Sequence, residues 1–249
     1  MKSLLWEVLF CLLFLLWMLF YILYLVAKLL LPRKISHRFM QFVVGSWAKI
    51  TILSTGSKVK VSGKENLPAG GNICFVSNHQ GLFDIPLILG FLGMHTGFIA
   101  KRELFKIPIL SQWMREIPCT FIDRRNPRKA MQTIKKSAEL IKKGNPLVIF
   151  PEGTRSRSNE LGNFHLGSLK LPQLAEATIV PLAVKGSWQI YEKENKIRPA
   201  TVYLKILPPI KPEDEIYKDK RKLADFLHSC ISRALEEEIF CTGARRSAE

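Results

Sequence analysis

The sequence predicts an α/β domain, a mixed and largely parallel sheet flanked by helices, behind an N-terminal hydrophobic helical anchor of one or two helices. Three observations lead there. From residue 56 onward short apolar runs alternate with helical stretches, the pattern of strand–helix units gathered into one sheet. Several of those runs are continuous rather than alternating, as in strands covered on both faces. Residues 8–27, by contrast, hold no charged side chain at all. The chain divides accordingly into anchoring helices (1–55), an α/β domain (56–241) and a tail expected to be disordered (242–249).

Residues 8–27 are nearly all Leu, Phe, Trp, Val, Ile, Tyr or Met. Twenty such residues match what a helix needs to cross a hydrocarbon core of roughly 30 Å. Trp6 and Tyr24 add aromatic side chains suited to membrane interfaces. A cleaved signal peptide fits poorly, because the run is too long and no small-residue cleavage site follows. Lys28, Arg33, Lys34 and Arg38 crowd the far flank, whereas Lys2 before the run is offset by Glu7, so the main domain is expected on the cytoplasmic side of a membrane. Pro32 breaks the helix. The stretch 39–53 then reads as a second helix folded back beside the first in or near the interface, with packing on the main domain as the alternative.

Seven strands are expected, at 58–61, 73–77, 96–100, 119–122, 147–150, 179–184 and 201–206. Residues 126–143 read as a helix: Asn126 caps it, Pro127 suits its first turn, Ala130, Ile134, Ala138 and Ile141 share a face, and Gly144 ends it. A last helix runs from about 218 to 240 with Leu223, Phe226, Leu227, Ile231 and Ala234 on its apolar side.

Lys and Arg total 37 against 21 Asp and Glu, a formal net charge of +16. A surplus that large marks an anionic partner: nucleic acid, an acidic membrane surface, or an acidic or phosphorylated ligand. No helix-turn-helix, zinc-finger or RNA-recognition signature is present, so no nucleic acid is expected. Cys11, Cys74, Cys119, Cys230 and Cys241 are odd in number and scattered, without a CxxC pair or a Cys/His cluster. That suits a reducing compartment, no structural disulfide and no metal site.

Two stretches, each directly after an expected strand, carry side chains suited to chemistry. The first is Ser77-Asn78-His79-Gln80-Gly81-Leu82-Phe83-Asp84. Strand ends are where α/β sheets bind ligands. An imidazole can accept a hydroxyl proton near neutral pH. A carboxylate five residues on can hold the other ring nitrogen, fix the tautomer and stabilise the imidazolium. Gly81 would allow the turn between them. No Gly-x-Ser-x-Gly elbow supplies a protein nucleophile, so the attacking hydroxyl would belong to a substrate. Taken alone, this spacing also suits a structural loop histidine. The second stretch is Phe150-Pro151-Glu152-Gly153-Thr154-Arg155-Ser156. Arg155 offers a planar fork to phosphate oxygens, and the amides around Gly153 can help bind an anion. Alone it reads equally as a charged turn.

In combination, the His79-x4-Asp84 pair and the later Phe-Pro-Glu-Gly-Thr-Arg-Ser resemble the glycerolipid acyltransferase family, specifically its 1-acylglycerol-3-phosphate acyltransferases. Lys101-Arg102-Glu103-Leu104 with Pro108, then Phe121-Ile122-Asp123-Arg124, are similar to the family's second block. Ile179-Val180-Pro181-Leu182-Ala183-Val184 is similar to its fourth. These matches keep the family's order from Asn72 to Gly186. The sequence departs from the family at Phe164-His165-Leu166-Gly167, where two basic residues often stand between Phe and Gly.

The resemblance implies that His79 is the general base and Asp84 its partner. It implies that Arg155, Arg124 and Lys101 bind the substrate's phosphate, and that Glu152, Gly153 and Thr154 orient the substrate. For Glu152 three roles stay open: orienting Arg155, orienting the His79 loop, or contacting an acceptor hydroxyl. The implied reaction moves a fatty acyl group from acyl carrier protein or coenzyme A, as a thioester co-substrate, to the sn-2 hydroxyl of 1-acylglycerol-3-phosphate, giving phosphatidic acid. No cofactor is implied; the partners are a lysophospholipid, the donor and membrane lipids. Oxyanion donors are not identified, backbone amides near Gly153 being one option. First-position acylation of glycerol-3-phosphate and phospholipid transacylation would use the same pair, whereas a non-catalytic, membrane-tethered basic module rests on charge alone.

Overall fold

All seven expected strands form close to their expected limits in the computed structural model, which describes residues 2–107, 110–123 and 125–240. They are β1 (Lys58–Ser62), β2 (Ile73–Ser77), β3 (Gly97–Lys101), β4 (Thr120–Ile122), β5 (Leu147–Ile149), β6 (Thr178–Lys185) and β7 (Thr201–Ile206). They make one sheet in the order β1-β7-β6-β2-β5-β3-β4. Every neighbouring pair is parallel except β6 with β7. The helices are α1 (Lys2–Leu30), α2 (Arg33–Leu53), α3 (Asp84–Phe91), α4 (Leu110–Glu116), α5 (Pro127–Lys142), α6 (Lys170–Ala175), α7 (Glu215–Lys218) and α8 (Lys220–Phe240).

The central strand β2 shows why both faces are covered. Its side chains alternate between faces, as the period of two requires. Cys74 and Val76 enter one core with Ile134, Ala138 and Ile141 of α5 and Leu223 and Leu227 of α8. Ile73 and Phe75 enter the other with Ile52 of α2 and Leu87 and Ile88 of α3. All five residues of β2 are buried, which is why the strand reads as an unbroken apolar run. The expected cap of α5 is present: Asn126 Oδ1 accepts from the Lys129 amide at 3.1 Å. On α8 the expected face needs one correction. Phe226 is 38% exposed, and Ala224 and Leu235 are buried instead. At 100° per residue, Phe226 falls about 60° outside the sector spanned by Leu223, Leu227, Ile231 and Ala234.

The second N-terminal helix folds back against the first and also packs on the main domain. Met40, Val43 and Val44 of α2 pack with Trp17 and Tyr24 of α1 and Trp113 of α4, while Ile52 joins the sheet's core. Gly90 lets α3 approach, since a Cβ there would lie 2.9 Å from the Lys49 amide nitrogen. Polar contacts also tie α1 to the domain: Tyr24 Oη donates to Glu116 Oε2 at 2.7 Å, and Lys28 Nζ reaches the same carboxylate at 2.8 Å. Among the described residues no helix is long and apolar enough to cross a membrane. The described part of α1 nevertheless leaves Leu12, Leu15, Leu19, Ile22, Leu23 and Val26 exposed. Pro108, Arg124, Cys241 and the 242–249 tail lie outside the described residues.

This topology fixes where chemistry can occur. Strands β2, β5, β3, β4 and β6 run the same way, so their C-terminal ends open along one edge, and both motif loops leave from that edge.

Candidate active site

The loop after β2 is pinned before it turns. Asn78 is buried, and its side chain satisfies both polar groups on Val184 of β6: Nδ2 donates to the carbonyl at 2.8 Å and Oδ1 accepts from the amide at 2.7 Å. The next residue, His79, turns its ring onto Phe150 with centroids 4.0 Å apart and planes 18° from parallel. His79 Nδ1 lies 2.7 Å from Asp84 Oδ2.

Asp84 opens α3, and its side chain is fully buried. A carboxylate in that setting needs donors to offset lost hydration. The Gln80 amide (2.7 Å) and the Gly81 amide (3.0 Å) donate to Oδ2, and Ser187 Oγ donates to Oδ1. With the carboxylate so held, Nδ1 carries the proton toward Asp84 and Nε2 is the basic nitrogen. Gly81 matters here for a reason other than turn conformation. It is not among the residues with positive φ, and a Cβ on it would lie 2.5 Å from Glu192 Oε2.

The loop after β5 is bonded to this one. Ser156 donates its amide to the His79 carbonyl at 2.8 Å, and Arg157 to that of Gln80 at 3.1 Å. Glu152 is buried, and of its three open roles the structure places it on the base loop: Oε1 accepts from the His79 amide at 2.7 Å, and Oε2 from the Gly162 amide at 2.9 Å. Burial pushes its carboxyl pKa up, against the pull of those two amides. Gly153 sits at φ +69°, a left-handed conformation that favours glycine. Its amide bonds the Phe150 carbonyl at 3.0 Å, so that N–H is not turned toward an oxyanion. Thr154 is exposed.

The cations divide. Arg155 Nη1 pairs with Glu192 Oε1 at 3.0 Å, and the same oxygen accepts from the Leu82 amide at 2.7 Å, which brings Arg155 to the His79 loop. Lys101 is 61% exposed and 3.6 Å from Glu103. Arg102 bonds Asp123 at 2.8 Å. These residues line an open cavity of about 440 Å³ with Lys106, Ile122 and Arg125. The end of β3 lies two strand spacings from β2, roughly 10 Å along the edge. Arg124 lies outside the described residues, so its expected place is not seen.

Four contributors had no sequence signal: Asn78 as a clamp, Phe150 as a stacking partner, Ser187 and Glu192. The last two follow β6, about a hundred residues from His79, and only the pairing of β6 with β2 brings them near. Among the described residues no three of His, Cys, Asp and Glu gather as a metal-ion site.

Comparison with known proteins bears on this arrangement. The family model Acyltransferase matches residues 58–185. A chloroplastic 1-acyl-sn-glycerol-3-phosphate acyltransferase of Brassica napus is 35% identical over 155 residues, 62% of this chain and 44% of the relative. A 1-acyl-sn-glycerol-3-phosphate acyltransferase of Cocos nucifera is 33% identical over 184 residues, 73% of this chain and 59% of the relative. The chain thus spans about half the length of the curated relatives it matches. The crystal structure of the 1-acyl-sn-glycerophosphate (LPA) acyltransferase PlsC from Thermotoga maritima is similar at a TM-score of 0.85 and 28% identity, covering 95% of this chain and 97% of that one.

Proposed function

The chain belongs to the Acyltransferase family, and from that premise we propose that it moves a fatty acyl group from a thioester donor to the sn-2 hydroxyl of a 1-acylglycerol-3-phosphate, yielding phosphatidic acid. The observation that carries this reading is the 2.7 Å bond between His79 Nδ1 and a fully buried, donor-saturated Asp84. His79 Nε2 takes the proton of the acceptor hydroxyl as its oxygen attacks the thioester carbonyl. Asp84 stabilises the imidazolium that forms. The tetrahedral intermediate then collapses, the carbon–sulfur bond breaks, and the departing thiolate takes its proton from His79. The donor's sulfur sits on acyl carrier protein or coenzyme A.

Arg155 holds the acceptor's phosphate, with Lys101 and Arg124 as further cations. Glu152 holds the base loop through the His79 amide, and Gly153 and Thr154 shape the turn that presents Arg155. The exposed apolar side chains of α1 face lipid, which keeps the site at the level where a lysolipid's head group emerges. The basic residues that follow α1 support a cytoplasmic-face setting for the catalytic domain.

The test is transfer of label from an acyl thioester to lysophosphatidate in detergent. Wild type is expected to form phosphatidate and folded His79→Ala to lose about two to four orders of magnitude. Near-normal activity in that variant would remove His79 as base. Product with glycerol-3-phosphate but not lysophosphatidate would move the acceptor to the first position.

A further inference from the structure

Glu192 belongs to neither motif loop, yet it touches both. Its side chain is 4% exposed. Oε1 accepts from the Leu82 amide at 2.7 Å and from Arg155 Nη1 at 3.0 Å. Oε2 is buried and has no hydrogen-bond partner among the described residues. It rests against Gly81, where any larger residue would displace it. A bare buried carboxylate oxygen is unfavourable, so what Oε1 does must outweigh it.

What Oε1 does is join two things whose separation matters. Leu82 lies within the loop that carries His79 and Asp84, and the Arg155 guanidinium reaches that loop through this carboxylate. An arginine side chain has many rotamers, and holding it in one costs entropy unless a partner fixes it. The same segment also grips the other end of the base loop, through Ser187 on Asp84.

Building on the acyl-transfer reading above, we infer that Glu192 is a positioning residue that sets the reach between the phosphate clamp and the base. By tying the Arg155 guanidinium to the backbone of the His79 loop, it selects acceptors whose phosphate lies a short, fixed distance from the hydroxyl. A glycerol phosphate meets that demand, its phosphorus being only three bonds from the sn-2 carbon. Acceptors without a phosphate gain nothing from the arrangement.

The experiment measures kcat and acceptor KM at saturating acyl thioester for lysophosphatidate and for a monoacylglycerol, which lacks the phosphate. For Glu192→Ala the ratio of the two kcat/KM values should fall about ten- to a hundredfold, the loss of a charged hydrogen bond, with the change in acceptor KM and donor KM unmoved. Glu192→Gln keeps an oxygen that can accept both bonds, and its ratio should stay within about threefold of wild type. Should Glu192→Ala not fold, Glu192→Asp pulls the carboxylate back by one methylene and should lower the same ratio. A wild-type ratio in an active Glu192→Ala or Glu192→Asp variant overturns the inference, as does an equal loss for both acceptors. Failure of wild type to make phosphatidate would instead overturn the acyl-transfer reading on which it rests.

Discussion

The ends of β2, β5 and β6 and the ends of β3 and β4 lie along one edge of the sheet, and they carry charge in opposite ways. At the first, the acids are buried and held by several donors. Asp84 has two amides, a serine hydroxyl and the His79 ring, and Glu152 has two amides. At the second, Lys101 and Arg102 are 61% and 63% exposed and pair with Glu103 and Asp123 at the surface. Exposed pairs contribute roughly 0.2–1 kcal/mol and weaken with salt. Donors to a buried carboxylate contribute more, and removing the carboxylate leaves them bare. The first region is therefore fixed before substrate arrives. The second can exchange its partners for an arriving anion at little cost.

The largest expected effect tests the fixed region. Asp84→Ala removes the partner of His79 and strands the Gln80 and Gly81 amides. Activity should drop by about three to four orders of magnitude, with a loss of thermal stability of several degrees. A variant that keeps activity within tenfold of wild type would break the contrast between the two regions.

A half-buried histidine whose ring nitrogen lacks such donors sharpens it. His95 sits edge-on to His37 of α2 with centroids 5.6 Å apart, and its Nε2 is buried without a partner among the described residues. Burial first, and His37 second, push its pKa down to about 4 from 6.5. The unfolded chain therefore binds this proton from pH 6.5 downward, while the folded chain resists until about 4. Stability should decline across that window, by up to about 3 kcal/mol. Denaturant unfolding at pH 7, 5.5 and 4.5 reads this, and His95→Phe should flatten the decline relative to wild type.

The smallest effect belongs to the surface. Arg102→Ala should change acceptor kcat/KM by only about two- to fivefold at low salt, and the difference should shrink as salt is added. A large loss that persists at high salt would mean that the exposed cluster is as fixed as the buried one.

Against this contrast, the legible and illegible parts of the molecule separate cleanly. The strands were legible because period and apolar continuity are properties of three to eight adjacent residues. The His79–Asp84 pair was legible because its two members lie on one short loop and close on each other locally. The short helices α3, α4, α6 and α7 carry no such local signal. After Asp84 the segment to Phe91 is apolar on every side, so no helical period shows, and α2 packs closely on it at Gly90. Phe226 lies off the buried side of α8 because, at 100° per residue, it falls outside the sector of Leu223, Leu227, Ile231 and Ala234, which hydrophobicity alone does not show.

By itself the sequence determined the strand–helix alternation, the uncharged N-terminal run, the two motif loops and the pairing of an imidazole with a carboxylate, since each depends on residues adjacent in the chain. The tertiary structure alone decided that Glu152 serves the His79 amide, that Gly153's amide is taken by its own turn, and that Ser187 and Glu192 complete the site. The contacts of Glu152, Ser187 and Glu192 join residues 73 to 110 positions apart. They exist because β6 and β5 flank β2 on either side. Strand order is a property of the whole sheet, and no local stretch of sequence states it.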